Sequence, residues 1–510
     1  MIFRTLLLFS LLLHVANPQV AAQPRTACAT HLLPRSYDRT RSHSLARLAA
    51  PQQVAHPFAV GDTLTVNAYS FQLVGGGPYL TTTTCRLVGD NCYVFVEDVV
   101  WDASKVTQTA IHDIAVAFDQ TTPTEPDLGI YDVDIGIFGP PPDTDGDPRI
   151  LIVVLDILDS PFTGITYVGY FDTENQAPPV QREILYLDSG ALTQNSFLAR
   201  ATLAHEFQHM LHWAADPDEE KWVDEGCSEY AELACGYKDT SNTAAEAYLD
   251  VPNISLTAWS DNAFDFDKAF LWTAYFAQRH GDAALRNLVA LPNNGIQGVE
   301  LTMSAAGSAD TFHDQFAGWM AATYLDGPGD LGYDRVNLGP VRREAVAVPS
   351  DARNRLVRLW GIDYLDLGAS GGIGIDIVPP DDSDLMVVLI SDDVEDPTAA
   401  DIRIPAGTHR RIGSFATATR ALAVTRTSGT NESYSFSVAL MDGNSALACD
   451  FDVSGLVDFT DFLAFASHYA LSAGESGFDP SFDFDGDRDV DFVDFLTFAR
   501  HFGEWTDSGG

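Results

Sequence analysis

The stretch His205-Glu206-Phe207-Gln208-His209 constrains this chain more than any other, because it fixes a local conformation and a chemistry together. Two histidines at i and i+4 project from one face of a helix. Neutral imidazoles at that spacing suit a tetrahedral zinc ion. The flanks agree with a helix: Ser196 to Leu203 leads in and Met210 to Trp213 follows, with no glycine or proline between. Glu206, between the histidines, is suited to take a proton from a water held at the metal. The competing reading is a solvated helix that carries two histidines by chance. The sequence that follows argues against it.

That sequel runs from Lys221 to Leu233 and contains Trp222-Val223-Asp224-Glu225-Gly226. A hydrolytic zinc site takes three protein ligands and keeps a fourth position for water. A carboxylate on a second helix packed against the first completes such a set, and Glu225 is the expected third ligand. Glu229 and Glu232 follow on the same face, where a hydrogen-bonded polar surface is the expected role. Asp224 suits either a helix cap or a carboxylate that orients a ligand histidine.

The pair HEFQH and WVDEG resembles the gluzincin metallopeptidases, and in particular the secreted bacterial hyicolysin-like peptidases. The likeness extends upstream through Asp145 to Ile157 and Val168 to Asp172, and covers roughly residues 56 to 330. It implies that His205, His209 and Glu225 bind zinc and that Glu206 is the catalytic base. It also implies a mixed-sheet lobe and a helical lobe with the active site between them. The metzincin pattern is not met, since His212 and Ala215 stand where that family has glycine and histidine. His212 is expected at the surface or behind a ligand. The oxyanion-stabilising residue stays open among Tyr230, Tyr237, Tyr275 and His280, because Phe266-Asp-Lys-Ala departs from the Y-x-K-G context of zinc aminopeptidases.

A chain of 510 residues exceeds one domain. Residues 1–22 read as a secretory signal: Arg4, an apolar run from Leu6 to Val15, then Val20-Ala21-Ala22. The run is too short to span a bilayer, and Arg25-Thr26-Ala27-Cys28 lacks the apolar residue of a lipobox. The net charge of -43 argues against nucleic acid and anionic membranes and fits a secreted, calcium-binding chain. Residues 23–55 reverse the sign, with Arg25, Arg35, Arg39, Arg41 and Arg47 against Asp38 alone. This segment reads as a disordered leader or as a basic propeptide over an acidic cleft. Cys28 is expected in a disulfide, with capping of the zinc as the alternative. The six cysteines suit an oxidising compartment. Cys85 and Cys92 flank a turn-like segment and are a plausible disulfide. Cys227 and Cys235 sit two helical turns, about 12 Å, apart and pair only if the helix ends first.

Alternating apolar and polar residues predict strands at 63–69 and 92–97, a helix near 103–119, a buried strand at 150–155, and helices at 270–279 and 310–324. Asp143 to Asp147 resembles the start of a calcium loop but lacks an acid at the twelfth position, so an ordinary turn is expected. After Val346 short strands resume at 355–361, 373–378, 385–390 and 434–440, as in a β-sandwich of about a hundred residues.

The tail repeats with a period of 33 residues, from Asp450 to Asp483. Oxygens at loop positions 1, 3, 5, 9 and 12, followed by an amphipathic helix, suit calcium. They are Asp450, Asp452, Ser454, Asp458 and Asp461 in the first copy. In the second they are Asp483, Asp485, Asp487, Asp491 and Asp494. Position 12 is Asp and no entering helix precedes the loops, so the pair resembles a dockerin. That resemblance implies a cohesin-like or cell-surface partner. Arg488 stands where the first loop has Gly455, which questions the second turn.

The sequence thus predicts a multidomain α+β chain. Its expected parts are a signal (1–22), a leader (23–55), a gluzincin-like peptidase (56–335), a β-sandwich (336–446) and a dockerin-like calcium domain (449–505). The expected function is a secreted zinc endopeptidase acting on proteins or peptides. The alternatives are an aminopeptidase, disfavoured by the lack of a GxMEN motif, and a non-catalytic surface or adhesion protein on a peptidase fold.

Overall fold

The computed structural model describes residues 25–33, 57–160, 165–177, 180–368, 372–391, 398–414 and 419–506. The signal-like stretch 1–22 and most of the leader lie outside them. Over the described residues the chain is a mixed α/β structure with three sheets. The first has seven strands: β1 (Arg25–Cys28), β2 (Thr63–Ser70), β3 (Gly77–Val88), β4 (Cys92–Glu97), β5 (Ile150–Leu155), β6 (Ile165–Phe171) and β7 (Ile184–Asp188). Their spatial order is β1-β6-β7-β5-β4-β3-β2. The pairs β1/β6, β4/β5 and β5/β7 are parallel, and β2/β3, β3/β4 and β6/β7 antiparallel.

The central strands are continuous apolar runs because both faces are covered. Ile150, Ile152 and Val154 of β5 join the core shared with the helices. Leu151, Val153 and Leu155 face the opposite side, where Tyr93, Phe95 and Phe58 pack with Ala29 and Leu33 of the leader. On the helical side lie Gln108–Asp119, Ile130–Phe138, Ser196–Ala215, Lys221–Cys235, Ala263–His280 and Phe312–Leu325. The helix expected near 103–119 starts only at Gln108 and runs to Asp119, because Thr107 caps it by accepting from the Ala110 N–H; a separate short helix, Asp98–Asp102, precedes it.

The expected disulfides are absent, and all six cysteines are free thiols. Sheet geometry explains Cys85 and Cys92. Cys85 packs on the sheet face that holds Tyr93 and Phe95, whereas Cys92 packs on the helical face with Val94 and Val96. Their side chains therefore point to opposite sides of the sheet. The Lys221–Cys235 helix continues through Cys235 and ends at Gly236, in the left-handed region (φ 81°), so Cys227 and Cys235 stay two turns apart.

Residues 344–440 form a five-stranded and a four-stranded sheet. Val387, Leu389 and Val424 of one meet Ile375, Ile377 and Phe436 of the other in a common core, as expected of a sandwich. The outer face of the five-stranded sheet, through Met386, Val388 and Ile390, joins the helical core. The tail helices Phe459–His468 and Phe492–His501 stack Phe465 on Phe498, ring centres 5.3 Å apart. This tail docks on the four-stranded sheet: Arg410 pairs with Asp479 at 2.7 Å and covers the rings of Phe451 and Phe482. Among the described residues no helix is long and apolar enough to cross a membrane.

One buried acid is costly for this fold. Asp134 is fully buried, its Oδ2 has no hydrogen-bond partner, and Oδ1 meets only the Cys235 thiol at 3.6 Å. Burial raises its pKa well above the ordinary carboxylate range. The folded state therefore binds a proton that the unfolded chain gives up above about pH 4. Stability is gained as pH falls through the folded pKa towards about 4 and is lost as pH rises. Asp134→Asn should raise the thermal midpoint at pH 8 by several degrees, more than at pH 5, in paired calorimetric scans. An equal shift at both pH values would refute this account.

Candidate metal centre

The Ser196–Ala215 helix starts at Asn195, whose side chain accepts from the Leu198 N–H, and is buried nearly throughout from Ala199 to His212. A five-residue connection returns the chain into the Lys221–Cys235 helix beside it. Two glycines set the distances. A Cβ at Gly226 would lie 2.4 Å from Thr273 Oγ1 and 2.9 Å from the Ala269 carbonyl, so the residue after Glu225 must be glycine for the next helix to pack. A Cβ at Gly169 would lie 2.4 Å from Thr202 Cγ2 and 3.3 Å from Glu206 Cγ, so β6 runs tight against the HExxH helix.

His205, His209 and Glu225 are brought together as the sequence predicts. Glu225 Oε2 lies 3.3 Å from His205 Nε2 and 3.5 Å from His209 Nε2, and the carboxylate is fully buried. Neither Glu225 oxygen has a hydrogen-bond partner, nor does His205 Nε2. Cys28 joins them: its Sγ is 3.7 Å from His209 Nε2, and the ligand atoms of Cys28, His205, His209 and Glu225 lie within 4.8 Å of one another. The expected disulfide at Cys28 is thus replaced by this cluster.

A second layer sets the imidazoles. His209 Nδ1 donates to Asp224 Oδ1 at 3.0 Å, and His205 Nδ1 donates to Glu232 Oε1 at 3.1 Å. A carboxylate only accepts, so a proton sits on Nδ1 and the Nε2 of each ring faces the cluster. Asp224 is therefore an orienting carboxylate. His212, buried, shares it at 3.3 Å. Lys238 contacts Glu229 and Glu232, so those two form the expected hydrogen-bonded polar surface, but Glu232 also orients His205, which sequence reasoning missed. Burial lifts Glu229 to about 7 against the pull of Lys238.

Burial works against charge throughout the cluster and is outweighed at four of its members, His205 among them, which Cys28, Glu225 and Glu232 raise. His209 is raised by Asp224 and Glu225, and Glu225 is held far below the usual carboxylate range by the two histidines. The Cys28 thiol is lowered by the facing His205 and His209. Glu206 is pushed upward by burial and by Cys28. Its Oε2 accepts from the Thr30 hydroxyl at 2.6 Å, and Oε1 has no partner. Thr30 and His31, the latter 3.7 Å from Glu225 Oε1, are leader residues that carry no motif signal. The four oxyanion candidates are engaged elsewhere. Tyr230 bonds Asp282, Tyr275 bonds the Asp330 carbonyl, His280 meets Gln315, and Tyr237 packs on Phe197.

The tail holds two smaller acidic groups, Asp450 with Asp452 and Asp461, and Asp483 with Asp485 and Asp494. These are loop positions 1, 3 and 12. Positions 5 and 9 are not drawn in. Asp458 and Asp491 cap the helices by accepting from Thr460 and Val493 N–H groups, Ser454 donates to the Leu456 carbonyl, and Asp487 accepts from the Asp489 N–H. Arg488 adopts φ 81° where Gly455 has 86°, so the second turn keeps the shape of the first. The Asp143–Asp147 segment is a turn in which Asp143 and Asp145 accept from Gly146 and Asp147 N–H groups.

No family model and no curated protein matches the chain. Among solved structures it is similar to the pre-peptidase C-terminal domain of a collagenase from Bacillus anthracis. That match is 16% identical, with a TM-score of 0.17, and covers 20% of this chain and 99% of that domain. A family GH115 4-O-methyl-alpha-glucuronidase with specificity for decorated arabinogalactans is 7% identical with a TM-score of 0.13. It covers 59% of this chain and 53% of the other. Neither likeness is close enough to carry a functional argument.

The tail clusters generate a direct expectation. Calcium should protect residues 449–505 of the intact chain from limited proteolysis, and a calcium-selective chelator should expose them without releasing metal from the His205–His209–Glu225 cluster. Identical digestion patterns with and without calcium would exclude these loops as calcium sites.

Proposed function

We propose that this chain is a secreted zinc endopeptidase of gluzincin type with a calcium-binding, dockerin-like tail. The observation that carries the reading is the convergence of two Nε2 atoms and a fully buried carboxylate without hydrogen bonds from His205, His209 and Glu225. An unpaired buried carboxylate is costly, and a divalent cation with three such ligands offsets that cost. The donor set of two imidazoles and one carboxylate is that of hydrolytic zinc sites. Zinc held there would supply Lewis acidity and a water of lowered pKa. The residues of the chain do the rest. Asp224 and Glu232 hold the ligand rings, and Glu206 takes the proton from the attacking water and delivers it to the leaving amine.

The signal-like residues 1–22 support secretion. The tail supports a partner of the cohesin type or a surface component, because Phe459, Leu463, Phe492 and Leu496 are exposed at matching positions of its two helices. An aminopeptidase and a non-catalytic adhesion protein remain the alternatives. The first predicts release of single N-terminal residues and the second zinc without turnover.

Glu206→Gln should keep stoichiometric zinc and lower casein hydrolysis about a hundred- to ten-thousand-fold, since only the proton relay is lost. The comparison is made on the full chain and on a form lacking residues 1–55. Undiminished cleavage by the variant refutes the assigned base. Glu225→Ala should lose zinc on dialysis while Glu229→Ala retains it. The reverse result would move the third ligand one turn along the helix. Asp224→Asn should weaken zinc binding about ten- to a hundred-fold.

A further inference from the structure

The leader does more at this cluster than lie nearby. β1 adds to the edge of the seven-stranded sheet along β6, with Arg25 opposite Ile165 and Ala27 opposite Tyr167. An exposed strand edge beside a peptidase site is where an extended peptide would bind by strand addition, and here the chain's own residues fill it. The register then slips: Ala27 faces Tyr167 but Cys28 faces Gly169. A slip of this kind re-aims the side chains that follow. The next contacts are all with the site. Cys28 Sγ comes 3.7 Å from His209 Nε2, the Thr30 hydroxyl occupies Glu206 Oε2, and His31 approaches Glu225 Oε1. The Phe171 N–H fixes Thr30 by donating to its hydroxyl oxygen at 2.7 Å, and the Ala29 N–H bonds the Gly169 carbonyl at 3.1 Å. Ala29 and Leu33 are buried in the sheet core behind.

We infer that residues Arg25–Leu33 are a built-in inhibitor, with the Cys28 thiolate as fourth zinc ligand and the Thr30 hydroxyl holding the base Glu206. The cysteine does not stand alone. His205 Nε2 and both Glu225 oxygens, all buried, lack hydrogen-bond partners and converge on the point that Sγ approaches. When sulfur binds, its S–H bond breaks, the proton leaves to solvent and a zinc–sulfur bond forms. Water then has no open position on the metal and no free acceptor at Glu206 Oε2. Withdrawal of the segment would reverse both: the departing thiolate takes back a proton from solvent, and a water molecule fills the position it leaves. The strand pairing along β6 ends in the same event, so the substrate edge opens together with the metal.

This inference rests on the zinc reading of the cluster, and the test separates the two. The full chain is loaded with zinc and its zinc-edge X-ray absorption is compared with that of Cys28→Ser. One sulfur in the first shell of the parent, replaced by nitrogen or oxygen in the variant, is the expected result. With cobalt in place of zinc, the parent should show a thiolate-to-metal charge-transfer band that the variant lacks. Casein hydrolysis should rise at least tenfold in Cys28→Ser and further in Cys28→Ser combined with Thr30→Ala. Stoichiometric zinc in a sulfur-free shell in the parent overturns the inhibitor and leaves the peptidase reading intact. A sulfur signal that persists in Cys28→Ser overturns it as well. A chain that takes up no zinc overturns both.

Discussion

The packing of the Lys221–Cys235 helix against the Ser196–Ala215 helix is the constraint on which the rest depends, because it gathers five carboxylates, four of them buried and Glu232 half-buried, around two imidazoles. Glu206, Asp224, Glu225, Glu229 and Glu232 all sit in or against this contact, and Lys238 is the cation that meets two of them. Burial in a medium of low dielectric penalises each of these charges. The penalty is met in layers. Lys238 pairs with Glu229 and Glu232, and Glu232 and Asp224 bind imidazole N–H groups. Glu225, at the centre, receives no hydrogen bond at all. Imidazole nitrogens face it, His205 and His209 Nε2 at 3.3 and 3.5 Å, so its charge is offset either by those rings or by a cation held between them, and the proposed metal is the second case.

The geometry around this contact follows from small residues. Gly226 admits the Ala263–His280 helix, and Gly169 admits β6 against the HExxH helix. The same close approach that lets β6 reach Glu206 makes the sheet edge part of the site. The segment that pairs with β6 accordingly meets His209 and Glu206, so the strand edge and the His205–His209–Glu225 cluster are two aspects of one surface.

Much of this was legible in the sequence, and the reason is periodicity. The i, i+4 histidines, the glutamate on a second helix and the alternating or continuous apolar strands are local patterns that tertiary packing did not override. The doubled acidic loops were legible because they repeat. What the sequence did not reveal depends on long-range placement. Whether Cys85 and Cys92 share a sheet face turns on the register of β3 and β4, with its slip between Cys85 and Leu87. The partnership of Glu232 with His205 needs the interhelical rotation. Thr30 lies 176 residues before the Glu206 it touches, and His31 lies further still before Glu225, with no spacing to announce them.

The location of Cys28 gives the even cysteine count a different meaning. An even number in a chain with a signal-like stretch argues for disulfides, yet five of the six thiols are isolated in the core and the sixth faces imidazoles. Cys227 and Cys235 hold their positions by helix spacing, Cys92 donates to Asp119 and Cys235 to Asp134. Burial raises the thiols of Cys85, Cys92, Cys227, Cys235 and Cys449, which keeps them protonated and poorly nucleophilic. Cys28 alone is shifted the other way, by the two histidines. In this chain cysteine serves as a small apolar residue at five positions and as a candidate metal ligand at one, and what separates the two uses is the charge of the groups each sulfur faces.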